Sequence, residues 1–214
     1  MTLVEIESLI ALRLTQPLPA SLAHDRMRAT SLGALRPKYD NSLPPRPGAV
    51  LILLYEDHGV IKFPLIRRPE YLGVHSGQVS LPGGRTESDE GPVETALRET
   101  EEEIGIRRDS PKVLGVLSNF LVIPSNYIIT PVVATLSGSP TFVPDAREVA
   151  GVLAASIDEL VHDESIRESE ILVSGQYRLM APHFNVENST VWGATAMVLN
   201  EFRSVLRDVI ARHA

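Results

Sequence analysis

The sequence predicts an α/β protein of the α+β type, and three observations predict it. Apolar, β-rich runs recur along the chain, beginning with AVLILLY at 49–55 and VIKFPLI at 60–66. Amphipathic helical patterns stand at both ends, over 2–14 and 191–213. Between them, one helical stretch is bracketed by Gly91-Pro92 and Gly105. A hydrophobic fraction of 43% in 214 residues suffices for one domain with a real core.

In order, residues 2–14 form a short amphipathic helix. Thr2 and Glu5 make a capping box, and Leu3, Ile6, Leu9 and Ile10 line one side. Residues 17–47, rich in proline and polar residues, read as an irregular connection. The two apolar runs that follow are separated by EDHG and suggest a hairpin. KVLGVLSNF (112–120), YIITPVVATL (127–136) and VAGVLAAS (149–156) are further strand signals, the last leading into a helix that Ser156 and Glu159 could cap. ILVSGQYRLM (171–180) suggests a strand or hairpin. The closing helix carries Ala196, Val198, Leu199, Phe202, Leu206 and Ile210 at helical spacing, and Trp192 reads as a core or interface residue. The chain thus divides into an N-terminal helix with an irregular extension (1–46) and a main domain (47–214).

Composition excludes several roles. A net charge of −7 does not match a nucleic-acid partner. The absence of cysteine excludes disulfides and thiolate chemistry. Glu5 and Glu7 stand where a signal peptide would carry positive charge, and no apolar run is long enough to span a bilayer. The expectation is a cytoplasmic protein without membrane partners.

The segment Arg85–Gly105 holds eight carboxylates against Arg85 and Arg98. Pro92 suits the first helical position and Gly105 suits the stop. Val93, Leu97, Thr100 and Ile104 fall on one stripe, read as buried, while Glu99, Glu102 and Glu103 fall on a separate face roughly opposite. Carboxylates at that spacing sit about 5–6 Å apart at Cβ, and each pair repels by roughly 3 kcal/mol at an effective dielectric near 20. A solvated acidic face is one explanation; Glu94 and Glu101 read that way. A site for a hard divalent cation is the other. The glycine-rich approach Leu81-Pro82-Gly83-Gly84 favours the cation, because a solvated face has no need of such a loop.

This stretch resembles the Nudix box, G-x5-E-x7-R-E-U-x-E-E-x-G-U, with U a bulky aliphatic residue. Gly84, Glu90, Arg98, Glu99, Glu102, Glu103, Gly105 and Ile106 stand at the required positions. Thr100 occupies the first U, and its stripe directs it to the core. The resemblance implies a mixed sheet sandwiched between helices, and hydrolysis of a nucleoside diphosphate derivative with Mg²⁺ or Mn²⁺. Carried over by position, Glu99, Glu102 and Glu103 would be metal ligands together with the Gly84 carbonyl. Arg98 would orient those glutamates and Glu90 would support it. The base that deprotonates the attacking water stays open among Glu99, Glu102 and a carboxylate from a distant loop.

Outside the box, LIRRPEYLGVHSGQVSLPGG (65–84) resembles the added signature of the coenzyme A pyrophosphatase branch, through Arg68, Leu72, His75, Gly77, Gln78 and Pro82. Pro69, Gly73 and Leu81 depart from it; the arginine missing at Gly73 matters most, because arginine pairs bidentately with phosphate. Arg67, Arg68, His75 and Gln78 are the candidate substrate-binding residues. The implied substrate is coenzyme A or a derivative, giving 4′-phosphopantetheine and adenosine 3′,5′-bisphosphate. Nudix action on ADP-ribose, dinucleotides or nucleoside triphosphates, and a catalytically silent nucleotide sensor, stand as alternatives, as does a homodimer.

Overall fold

The computed structural model describes residues 2–35, 39, 42–70 and 77–213. Helix α1 (Leu3–Leu14) starts at the expected capping box: Thr2 Oγ1 accepts from the Glu5 N–H, and the Glu5 carboxylate accepts from the Thr2 N–H. The proline-rich stretch after it is more ordered than its composition predicts. It contains α2 (Ser21–His24), a 3₁₀ turn (Asp25–Met27) and the two-residue strand β1 (Thr30–Ser31). Contacts far away in sequence order it: Met27 is fully buried, and the Ala23 carbonyl accepts from Asn200 Nδ2 at 2.7 Å.

The expected hairpin is present. Strand β2 (Arg46–Asp57) turns into β3 (Val60–Arg67) through His58-Gly59, with φ of 49° and 79°. Positive φ at both positions is the type I′ turn whose twist suits a two-residue hairpin. There follow β4 (Val79–Ser80), β5 (Gly83–Arg85), α3 (Pro92–Ile104), β6 (Lys112–Val116), β7 (Phe120–Val122) and β8 (Tyr127–Leu136). The chain continues through β9 (Gly151–Ser156), α4 (Ile157–Val161), β10 (Ile166–Val173), β11 (Tyr177–Val186), β12 (Ser189–Trp192) and α5 (Gly193–Ala211).

The main sheet is mixed. β2 runs parallel to β8, from Arg46 opposite Tyr127 to Tyr55 opposite Leu136. β3 is antiparallel to β2, β4 and β9, β5 is antiparallel to β2, and β6 and β7 are antiparallel to β8. A smaller sheet joins β1, β10 and β12 to β11. Strand alternation splits the core in two. Ala49, Leu51, Leu53, Val132 and Ala134 face Ala96 and Ile104 of α3. Ile52, Leu54, Phe63, Leu65 and Val133 belong to the other cluster, with Ile6 and Ile10 of α1 and Leu199, Phe202 and Leu206 of α5. Both faces of β2 are therefore covered, which is why it reads as a continuous apolar run.

Some local expectations change. The 112–120 run is two strands: β6 carries a register shift between Val113 and Gly115 but pairs with β8 as far as Val116, and the ladder resumes at Phe120. The closing helix begins at Gly193; Val191 and Trp192 pair with β11, and Trp192 is half-buried. Val205 and Val209 take the buried positions beside Leu206, while Ile210 is half-buried. Ser156 caps α4 through the Asp158 N–H, at 3.2 Å. Among the described residues, no helix is long and apolar enough to cross a membrane.

Candidate active site

Helix α3 has the ends its sequence predicts. Pro92 occupies the first turn, and Gly105 closes the helix at φ 75° with its N–H bonded to the Glu101 carbonyl. Thr100 is buried, and its hydroxyl donates back to the Ala96 carbonyl at 2.7 Å. Val93 and Leu97 pack half-buried against the core, beside Ala96 and Ile104.

The acidic residues do not form a solvated face opposite that stripe. Glu103 is only 2% exposed, and Glu99 is half-buried; of the three, Glu102 alone keeps a half-exposed side chain. The cause is β5, which lies antiparallel on β2 with Gly84 opposite Ala49, so its backbone runs directly under this face of α3. Gly83 Nα–H donates to Glu103 Oε2 at 2.9 Å. A Cβ on Gly84 would lie 2.4–2.5 Å from the Glu99 carboxylate, and one on Gly83 (φ 149°) would lie 2.3 Å from the Ala49 carbonyl oxygen. The paired glycines are what let the acidic helix face touch the sheet.

Arg98 ties the carboxylates together. Its Nε donates to Glu90 Oε1 at 2.7 Å and its Nη2 to Glu90 Oε2 at 3.1 Å. Its Nη1 donates to Glu99 Oε1 and Glu102 Oε2, each at 3.0 Å, and Nη2 also reaches the Arg85 carbonyl at 2.9 Å. Thr95 Oγ1 donates to the far oxygen of Glu90 at 3.2 Å. Glu94 is exposed, and Glu101 turns away to an ion pair with Arg108.

These contacts set the acidities. The Arg98 guanidinium holds the Glu90 carboxyl down at about 2, and Glu90 in turn raises Arg98. Burial pushes Glu99 up; Arg98 opposes that, while Glu102 and Glu148 add to it. Burial lifts Glu103 to about 7, against the pull of the Gly83 N–H and of Arg68, and Glu99 and Glu148 push it further up.

The other expected residues divide. Arg68 follows Arg67 on one strand end, and alternation sends them to opposite faces of the sheet. Arg68 lies on the α3 side, close enough to act on Glu103. Arg67 points to the α5 side and donates to Ser189 Oγ at 2.7 Å, outside the acidic cluster. Gln78 adjoins Arg68, whose N–H donates to its carbonyl at 3.0 Å. His75, with Leu72 and Gly73, lies outside the described residues. Sequence reasoning missed Glu148, which acts on both Glu99 and Glu103 from the loop before β9. No spacing relates it to the box; only the fold brings it near.

Among the described residues, no three histidine, aspartate or glutamate side chains converge on one point. Arg98 draws Glu99 and Glu102 one way, and the Gly83 N–H draws Glu103 the other. The donor set still fits a hard divalent cation: it is all oxygen, with three carboxylates and the Gly84 backbone on two adjacent elements. Glu103 in particular is a buried acid whose hydrogen-bond partner is a backbone amide and not a side-chain cation.

A family profile described as NUDIX domain matches residues 45–172. The chain is 37% identical over 166 residues to "Nudix hydrolase 22, chloroplastic" of Arabidopsis thaliana, covering 72% of this chain and 53% of that protein. It is 31% identical over 180 residues to "Nudix hydrolase 3" of Caenorhabditis elegans, covering 77% and 75%. It is 33% identical to "Nudix hydrolase 15, mitochondrial" of Arabidopsis thaliana, covering 75% and 59%. The chain thus spans little more than half the length of the two plant relatives. Among solved structures, a Nudix hydrolase from M. smegmatis shares the fold with a TM-score of 0.53 at 18% identity, covering 80% of this chain and 89% of that one.

Proposed function

The chain belongs to the Nudix family, and from that premise we propose that it is a metal-dependent hydrolase of nucleoside diphosphate derivatives, with coenzyme A or its derivatives as substrate. The observation that carries the reading is the single guanidinium of Arg98 gripping Glu90, Glu99 and Glu102 beside Gly84, with Glu103 buried next to them. A bound Mg²⁺ or Mn²⁺ would offset the charge of the diphosphate oxygens and lower the pKa of the attacking water. Glu99, Glu102, Glu103 and the Gly84 carbonyl would hold it. Arg98 positions Glu99 and Glu102, and Glu90 positions Arg98. Arg68, on the same face, is stationed to meet a phosphate. Glu148 supplies a carboxylate from outside the box for taking up a proton from water. The compartment we expect is the cytoplasm.

Coenzyme A is favoured by the pattern of Arg68, His75, Gly77, Gln78 and Pro82 before the box. Pro69, Gly73 and Leu81 depart from that pattern and favour a second reading, in which ADP-ribose, a dinucleotide or a nucleoside triphosphate is cleaved. Hydrolysis of coenzyme A, ADP-ribose, NADH and diadenosine polyphosphates, each with Mg²⁺ and with Mn²⁺, decides between them. Coenzyme A should lead ADP-ribose by at least about tenfold in kcat/KM, roughly 1.4 kcal/mol of transition-state discrimination. Equal or faster cleavage of ADP-ribose would remove the coenzyme A assignment and leave the hydrolase.

Glu102→Gln tests the metal site. Glutamine can still accept from Arg98, so metal-free thermal stability should hold or rise. Turnover should fall by more than the roughly 10–100-fold that the loss of a ligand's outer partner costs, and stabilisation by added metal should shrink. Wild-type turnover at saturating metal would sink the assignment. Gly84→Ala tests the close approach. Its methyl group would displace the flexible end of Glu99, so kcat should drop by about 100-fold, the scale of a 1 Å misplacement, with the melting temperature nearly unchanged. Unaltered kcat would show that Glu99 need not lie against this strand.

A further inference from the structure

The segment that carries Glu148 runs between β8 and β9 and is fastened at two places, to α3 and to β3. The Val143 N–H donates to the Ile104 carbonyl at 2.9 Å, and the Asp145 N–H to the Glu103 carbonyl at 3.0 Å. Those carbonyls lie in the last turn of α3, where no intrahelical partner remains for them. A Cβ on Gly105 would lie 2.9 Å from Val143 Cβ, so the segment is packed closely on the helix end. At its far end the Ala150 N–H donates to the Arg67 carbonyl at 2.8 Å. Val149, only 2% exposed, belongs to the apolar cluster of Ala96 and Ile104 on the α3 face of the sheet. Glu148 itself is exposed, so the backbone that carries it sets where its carboxylate stands. Asp145 organises that backbone. Its carbonyl accepts from the Glu148 and Val149 N–H groups, at 3.0 and 2.8 Å. Its Oδ1 accepts from the Arg147 N–H at 2.9 Å, and the Arg147 guanidinium closes over the same carboxylate.

We propose that Asp145 is a positioning residue: it ties the Glu148 turn to the end of α3 and so holds the Glu148 carboxylate at a set distance from Glu99 and Glu103. One residue makes both halves of the tie. Its N–H is bonded to Glu103, one of the acids that Glu148 faces. Its carbonyl and carboxylate close the turn that presents Glu148. An aspartate that accepts from the N–H two residues on is a local device for fixing a turn. A proton acceptor has to stand within hydrogen-bond reach of the water it serves. The periodicity of α3 holds its own glutamates in place but does nothing for a carboxylate that arrives on a separate loop, so that loop needs a fixture of its own. The proposal rests on the reading of Glu148 as the group that takes up the water proton in a hydrolase, and it adds the residue through which Glu148 is held.

The test compares Asp145→Ala, Asp145→Asn and Glu148→Gln in the full chain with Mg²⁺, on whichever of coenzyme A, ADP-ribose, NADH and diadenosine polyphosphates wild type cleaves fastest. Alanine removes the acceptor of the Arg147 N–H. Its kcat should fall by about 10–100-fold, up to the scale of a 1 Å misplacement, with KM within about twofold of wild type. Asparagine keeps Oδ1 and should stay within about threefold of wild-type kcat. Glu148→Gln should lower kcat at least as much as Asp145→Ala does. Adding Asp145→Ala to it should then cost less than about twofold more, because no acceptor is left to misplace. A merely structural role would give the same loss in both backgrounds. Amide hydrogen exchange of the metal-free protein reads the tie without turnover. The Glu148 and Val149 N–H groups should exchange at least about tenfold faster in Asp145→Ala, with α3 and the melting temperature unchanged. Unchanged protection of those two amides would overturn the tie. Wild-type kcat in Asp145→Ala, asparagine no better than alanine, or an undiminished loss in the Glu148→Gln background would overturn the role through Glu148 and leave the hydrolase reading standing. Failure of every diphosphate substrate would instead be the failure of the hydrolase reading, and Asp145 would be left a loop clamp with no reaction to serve.

Discussion

Arg98→Leu is expected to abolish turnover and to cost the metal-free protein about 2–4 kcal/mol. Breaking a buried ion pair by removing one partner typically costs about 3–5 kcal/mol, because the other charge stays behind unpaired. Here the partners are partly solvated: the Glu90 and Glu99 side chains are 19% and 14% exposed, so the cost falls to the low end of that range or just below it. For a chain of this size the melting temperature should fall by roughly 5–15 °C. The loss should depend on pH. Arg98 holds the Glu90 carboxyl at about 2, below its ordinary value. A depressed carboxylate contributes stability that is present above its unfolded pKa near 4.5 and is lost as pH falls through about 2. The gap between wild type and variant should therefore be full above about pH 5 and narrow towards pH 2. Denaturant unfolding across that range measures it; a gap that is small, or constant with pH, would mean that Arg98 is not the counter-charge of the cluster.

Glu103→Gln should act in the opposite direction and in a different window. Burial lifts the Glu103 carboxyl to about 7. A raised acid contributes stability that is fully present below its unfolded pKa near 4.5 and is lost as pH rises through about 7. The metal-free protein should therefore lose on the order of 3 kcal/mol from this group between pH 4.5 and pH 8. Glutamine has no such charge, and its oxygen can still accept the Gly83 N–H. The variant should lack this part of the pH dependence and be the more stable protein at pH 8. Added divalent cation should reverse the order, stabilising wild type at pH 8 far more than the variant. Parallel stability curves for the two proteins without metal would show that Glu103 is not buried as a charge. Turnover should be lost in the variant at any pH.

Local signals carried much of this protein. The Thr2–Glu5 capping box, the His58-Gly59 hairpin turn and the Gly91-Pro92 and Gly105 ends of α3 each depend on residues a few positions apart. Near neighbours in sequence are near neighbours in space there, so pattern and structure agree. The same holds for Arg98 with Glu99 and Glu102, adjacent on one helix by their spacing alone. Other elements answer to distant partners. Residues 21–31 look irregular in composition, yet Asn200 and the α5 core hold them in two helical turns and a strand. Val191 and Trp192 continue the helical pattern of α5, but pairing with β11 takes them into a strand.

By itself, the sequence determined that Arg98, Glu99, Glu102 and Glu103 lie close together next to a glycine pair, because fixed spacing on one helix constrains them covalently. Only the tertiary structure decided how those side chains are charged and what they face. β5 lies across β2 beneath α3, so an acidic face that periodicity places opposite the core is instead pressed against backbone. Burial there raises Glu103, while Glu90, at the rim and gripped by Arg98, is lowered. The strand ending at Arg67 sends that residue to one side of the sheet and Arg68 to the other. Glu148 reaches the site's neighbourhood by chain return alone. Desolvation and through-space charge depend on what surrounds a group in three dimensions, and spacing along the chain does not encode that.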